Sequence, residues 1–277
     1  MLLLIPIQTQ VVFTRWPWMN FIWMGLCFLS FGFFNIAGEG YNLFELLVLD
    51  GWNPIGLLGY QFLHADAFHL LGNMLFLWVF GNAVNERFGQ WKYALFMMGG
   101  SAISGMTHHL FTGEPAIGAS GVVNAVVGAY LVLYPMNRVS MFWLFFIRGG
   151  TFELSGYILI LFWFVQDVWG AFAGAEHGIA YWAHLGGFAY GVGVMAWLVH
   201  KEHITLMSYD NPHLLEYLRP RKKPKRKQDI QFDEPSVPRQ ITFNCPECGH
   251  EMSVAETRLG QQVFCDRCRT SLLLVEE

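Results

Sequence analysis

The chain has 277 residues and a formal net charge of −4, with 54% hydrophobic, 17% aromatic and only 14% charged side chains. The charge is unevenly spread: residues 1–200 contain 14 Asp, Glu, Lys and Arg, and the last 77 contain 24. A water-soluble domain is about a quarter charged, so the first 200 residues are too apolar to face water on all sides.

In chain order, apolar runs occur at roughly 20–37, 68–84, 91–107, 119–136, 153–170 and 179–200. Each is long enough, or nearly so, to cross a hydrocarbon core about 30 Å thick. Backbone polar groups in lipid need internal partners, which predicts helices. Stretches such as 74–80 (MLFLWVF) and 158–165 (ILILFWFV) have no polar face, which argues against a soluble helical core. The expected fold is an all-α membrane protein with six transmembrane helices. Within the 38–67 connection, 42–49 (NLFELLVL) is apolar but too short to span, and is expected to lie in the outer interface.

Orientation follows from the basic residues. Arg15 precedes the first span, Arg87 and Lys92 separate the second and third, and Arg138 and Arg148 separate the fourth and fifth. The other twelve Lys and Arg follow the sixth, whereas 38–67, 108–118 and 171–178 contain none. The positive-inside rule then places both termini in the cytoplasm. Residues 1–19 lack the apolar core and small-residue cleavage site of a signal peptide, so the first span is read as a retained anchor. The plasma membrane of a bacterium is the simplest location.

Polar side chains at membrane depth are costly and therefore functional candidates. His69 and Asn73 in the second span, Ser120 at the start of the fourth and His184 in the sixth all fall toward the outer side. Taken alone, Ser120 reads as a small packing residue, and His184 equally as a base or as a buried imidazole bonded to a carbonyl. Together they suit a hydroxyl nucleophile and its base. His184, Gly187 and Gly191 share one helix face, as do Ser120, Asn124 and Gly128, and small residues at such spacing allow a close crossing. Glu153, Asp167 and Glu176 fall at span edges, so a Ser-His dyad is expected, its imidazole oriented by packing and lesser hydrogen bonds. His69, Asn73 and the backbone N–H of Ser120 would stabilise an oxyanion. A metal held by His64, His69, His108, His109 and His177 is disfavoured, because no HExxH accompanies them.

Three motifs carry a resemblance: 64–73 (HADAFHLLGN), 118–121 (GASG) and 183–191 (AHLGGFAYG). Over about residues 18–200 the chain resembles the rhomboid family of intramembrane serine proteases. The resemblance implies a six-helix rhomboid bundle in which Ser120 is the nucleophile, His184 the base, and His69 and Asn73 oxyanion donors. It implies that His64 helps hold the first loop, and that transmembrane proteins are cleaved within or beside their membrane segment, without a catalytic cofactor. A catalytically inactive, client-binding relative is the alternative. The chain departs from the family in three places. Asn124 stands where many members have Tyr, Asn85-Glu86 where they have Glu, and Trp52-Asn53 where they have Trp-Arg.

Beyond the bundle domain (1–200), residues 201–240 combine Pro and charge, including 219–227 (RPRKKPKRK), and read as a basic flexible linker whose basic run suits either anionic headgroups or a plain solvated, positive-inside stop signal. Residues 241–277 carry Cys245-x2-Cys248 and Cys265-x2-Cys268, separated by sixteen residues. That spacing predicts a four-thiolate zinc ribbon with structural Zn²⁺. Lying across the membrane from Ser120 and His184, it is expected to bind a cytoplasmic partner. Nucleic acid is disfavoured, since no array of stacking aromatics accompanies the basic run.

Overall fold

The computed structural model describes residues 2–37, 42–146, 148–173, 178–204, 211–218, 240–255, 258 and 261–273. The basic run 219–227, Glu176 and His177 lie outside the described residues. The chain divides into two units, Met1–Arg219 and Pro220–Glu277.

In the first unit, helices fall on all six expected apolar runs. They are α1 (Trp18–Ala37); α4 (Ala67–Phe76), continued through a π turn at Leu77–Gly81 into α5 (Asn82–Phe88); α6 (Gln90–Thr112); α7 (Ser120–Leu133); α8 (Gly156–Ala173); and α9 (Tyr181–His200). Between α1 and α4 lie the short helices α2 (Asn42–Leu47), which buries nothing, and α3 (Pro54–Gly59). Among the described residues, four stretches are long and apolar enough to cross a membrane: Trp18–Ile36, Ala67–Phe88, Gly156–Ala173 and Tyr181–His200. The sixfold count is therefore a match of helices rather than of six full-length apolar spans. Helix α6 is long, but Gly, Ser, Thr and His dilute its apolar surface, and α7 has only 14 residues. At 1.5 Å per residue α7 is about 21 Å long. From Gly121 to Leu133 it is buried at every position except Asn124, which makes it the central rod.

The all-α expectation needs one correction. Strands β1 (Leu2–Thr9), β2 (Arg138–Phe145) and β3 (Arg148–Ser155) form an antiparallel sheet in that order. Leu2 opposes Phe145 and Thr9 opposes Val139, with an irregularity between Pro6 and Gln8. Val139 and Met141 are buried and join the helical core. The aromatic and β-branched run 139–145 suits a half-buried strand. Because β3 takes the chain to Ser155, α8 begins at Gly156 and ends at Ala173, three residues later than the apolar run suggested.

Buried polar groups pin the helices together. Asn20 on α1 is fully buried. Its Nδ2 donates to Leu77 O at 2.8 Å and Asn82 Oδ1 at 2.8 Å, its N–H donates to Asn85 Oδ1 at 3.1 Å, and Tyr93 Oη donates to its Oδ1 at 2.8 Å. One side chain thus satisfies a carbonyl in the π turn and ties α1 to α5 and α6. Glu86, also buried, accepts from the N–H groups of Thr14 and Arg15 at 3.0 Å each and from the Thr14 hydroxyl, fixing the entry to α1.

In the second unit, β4 (Gln240–Asn244) pairs with β5 (Glu251–Ala255), and β6 (Gln262–Phe264) with β7 (Ser271–Leu273), both antiparallel. Its small core consists of Cys245, Met252, Val263 and Cys265.

Replacing Asn20 by Leu orphans several buried partners at once. Asn20→Leu is expected to lower unfolding stability in detergent by about 1–3 kcal/mol, whereas Asn35→Leu at an exposed site leaves it within about 0.5 kcal/mol. Thermal unfolding of the two variants beside the parent checks this.

Candidate active site

Ser120 is the first residue of α7 and is half-buried. The helix starts without a side-chain cap: Ala119 provides none, and the first intrahelical acceptor is used by Val123, whose N–H donates to Ala119 O at 2.9 Å. The N–H groups of the first turn therefore have no acceptor within the helix, and the positive end of its dipole lies at Ser120. Gly118, two residues before, has φ +120°, and a β-carbon there would lie 2.6 Å from two atoms of the His69 ring. Only glycine lets this turn adopt its conformation and bring His69 against the serine loop.

Helices α7 and α9 run parallel and in near contact. A β-carbon on Gly187 would overlap the carbonyl oxygen of Gly121, and one on Gly191 that of Ala125. From the α7 side, a β-carbon on Gly128 would lie 2.5 Å from Phe188 O. At the N-terminal end of this crossing, His184 Nε2 lies 2.8 Å from Ser120 Oγ. A serine side chain is short, so only backbones this close allow the pair to meet.

The other imidazole nitrogen has a partner that the sequence reading placed at a span edge. His184 Nδ1 lies 2.9 Å from Asp167 Oδ1, the two side chains being 14% and 16% exposed. The three-residue shift of α8 sets Asp167 nearly two turns inside that helix. This contact adds a carboxylate to the packing and lesser hydrogen bonds expected to orient the imidazole. A lone carboxylate in an otherwise uncharged 18-residue helix was the signal available in the sequence. Asn124 Nδ2 instead donates to Ser120 O at 3.1 Å, within its own helix.

His69 and Asn73 lie one turn apart on α4. Asp66 caps that helix, accepting from His69 N–H at 2.9 Å. Asn73 is buried and its Nδ2 has no hydrogen-bond partner among the described residues, leaving an available donor. His64 precedes α4, and its ring meets that of His69 edge-on at 5.2 Å. Burial, and then the nearby His69, holds the His64 imidazole down at about 4, so it is neutral at pH 7. His109 packs on Trp52 at 4.8 Å. Two cavities flank His184 and Asp167. One of 590 Å³ is lined also by Trp169, Ile179 and Tyr181, and one of 170 Å³ by Phe76, Val123, Asn124 and Trp163.

Among the described residues, one group of metal-ligating side chains converges: the Sγ atoms of Cys245, Cys248, Cys265 and Cys268 lie within 4.8 Å of one another. Cys245 and Cys268 are 3.7 Å apart and Cys248 and Cys265 3.6 Å. Four thiolates about 2.3 Å from a tetrahedral metal stand about 3.8 Å apart, so the cluster fits such an ion. Each Cys-x2-Cys motif occupies the turn of one hairpin. Gly249 N–H donates to Cys245 O and Arg269 N–H to Cys265 O, both at 2.8 Å, with Gly249 at φ 67° and Arg269 at φ 64°.

A rhomboid-domain family description matches residues 51–202, more than half of the chain and including Ser120, His184, His69 and Asn73. Rhomboid protein 1, mitochondrial, of Saccharomyces cerevisiae is 30% identical over 165 residues, which is 54% of this chain and 43% of that protein. Rhomboid protease GlpG of Enterobacter sp. is 28% identical over 149 residues, 48% of this chain and 53% of that protein. Rhomboid protease GlpG of Klebsiella pneumoniae subsp. pneumoniae is 32% identical over 135 residues, 49% and 45% of the two chains. The chain spans about half the length of these relatives. It belongs to the rhomboid family and is an integral membrane protein.

Adding one methyl group at the α7–α9 crossing should be felt strongly. Gly191→Ala forces the helices apart and is expected to cost about 1–3 kcal/mol, while Gly193→Ala, which meets nothing within 4 Å, is expected to be neutral or slightly stabilising. Thermal midpoints in one detergent test the contrast.

Proposed function

We propose that this chain is an intramembrane serine endopeptidase that cleaves proteins within or beside a transmembrane segment. The observation that carries this reading is the 2.8 Å approach of Ser120 Oγ to His184 Nε2 in a chain of the rhomboid family. His184 takes the hydroxyl proton as Ser120 attacks a peptide carbonyl, then returns it to the departing amine. The Ser120 N–H at the uncapped helix start, Asn73 Nδ2 and the His69 ring stabilise the oxyanion. Water from the open cavity beside His184 hydrolyses the acyl-enzyme. Every group required comes from the chain itself, without a catalytic cofactor.

In this reading all six helices cross the bilayer of a bacterial plasma membrane with both termini in the cytoplasm, supported by the placement of Lys and Arg. The short α7 sinks its serine end below the surface, where a water-filled recess can reach it. Residues 1–200 are the protease domain, 201–240 a linker, and 241–277 a zinc module for a cytoplasmic partner.

The test is purified protein in liposomes with a transmembrane substrate. Ser120→Ala and His184→Ala are each expected to reduce cleavage by on the order of 10³-fold or more, with the double variant no worse than either. A fluorophosphonate probe should label the parent and spare Ser120→Ala. Cleavage that survives loss of Ser120 would sink the assignment, and a parent that neither cuts nor labels would favour an inactive client-binding relative.

For the second unit, native mass spectrometry of the full chain is expected to find one zinc ion per chain. A chelator, or Cys265→Ser, should release it and open residues 240–273 to proteolysis, because so small a core depends on the metal. Resistance unchanged by chelation would count against zinc.

A further inference from the structure

The α8–α9 interface suggests more than a dyad. The two helices run antiparallel, and their contacts form a ladder. Gly170 packs on the ring of Tyr181, where a β-carbon would overlap it. One turn along, Asp167 meets His184, and a further turn along Phe164 packs on Phe188 with ring centroids 4.8 Å apart. An apolar contact on either side thus holds the carboxylate opposite the imidazole. The pair is flanked on one side by Ser120 and on the other by the 590 Å³ cavity.

We propose that Asp167 is the positioning residue of a Ser120-His184-Asp167 triad, an inference that rests on the protease reading above. The Asp167 carboxylate is acceptor-only, so the nitrogen it faces must be a donor. Nδ1 of His184 therefore carries the proton, and the lone pair of Nε2 points at the Ser120 hydroxyl, which is the tautomer a general base needs. When Ser120 attacks, its proton moves to Nε2 and the imidazole becomes a cation facing the carboxylate. When the tetrahedral intermediate collapses, that proton passes to the leaving amine nitrogen and the imidazole is neutral again. Asp167 stays ionised throughout and exchanges no proton with substrate. Asn124 is turned to its own helix, so the carboxylate supplies the orientation that the side chain at that position does not.

The competing explanation is an interhelical brace, and an isosteric change separates the two. Asp167→Asn keeps the shape, but its amide can donate to Nδ1 and favour the wrong tautomer. In proteoliposomes it is expected to lose about 10²- to 10⁴-fold in kcat with KM changed less than about twofold, and to be labelled by the fluorophosphonate correspondingly slowly while keeping the parent's thermal midpoint. Asp167→Ala should regain part of its rate in sodium formate but not in sodium chloride, because the adjoining cavity admits a small carboxylate. Asp167→Asn that cuts and labels at the parent rate would overturn the proposal, as would a loss of rate matched by a loss of stability and indifferent to formate. If the protease reading itself fails, the parent enzyme is inert or Ser120→Ala still cuts, which is a different outcome from an active parent with an equally active Asp167→Asn.

Discussion

A methyl group in place of the α-hydrogen of Gly187 or Gly191 would occupy the same space as a backbone carbonyl of α7. The rest of the candidate site depends on that steric limit. A serine hydroxyl projects only a short way from its backbone, and an imidazole three residues ahead of Gly187 reaches it because the helices have almost no side-chain layer between them. In lipid such an approach gains its energy from van der Waals packing and interhelical hydrogen bonds rather than from expulsion of water. The packing that stabilises the bundle therefore also sets the distance between Ser120 and His184.

Polar groups inside this bundle fall into two kinds. Asn20 and Glu86 are saturated: each bonds several partners on neighbouring elements, and together they fix α1 against the helices that follow. The amide nitrogen of Asn73 is buried without a partner among the described residues, a state that costs about 1–3 kcal/mol. Networks of the first kind hold the scaffold rigid, whereas a spare donor of the second kind fits a place where charge would appear only during reaction. The π turn at Leu77–Gly81 belongs with the scaffold, since the carbonyl of Leu77 is taken up by Asn20.

The second unit uses a different economy of structure. Two short hairpins present four thiols from their turns, each turn closed by a backbone bond and a residue at positive φ. With four buried core residues among those described, the two hairpins have little apolar burial to oppose chain entropy, so a bound ion would contribute much of their stability. The backbone is already arranged to point the four sulfurs at one centre.

The sequence by itself determined where the helices lie, because a long run without charge has no other stable form in lipid, and it marked Ser120, His184, His69, Asn73 and the four cysteines by residue type and spacing. The tertiary structure decided what the periodicity could not express. Pairing of β1 with the 138–145 segment joins residues more than a hundred positions apart, and no local pattern encodes such a contact. Pairing of β3 with β2 in turn holds 148–155 in a strand, so α8 runs from Gly156 to Ala173 and Asp167 lies within the helix, opposite His184. Contact across an interface depends on the register of both helices at once, which is a property of the packed bundle rather than of either segment.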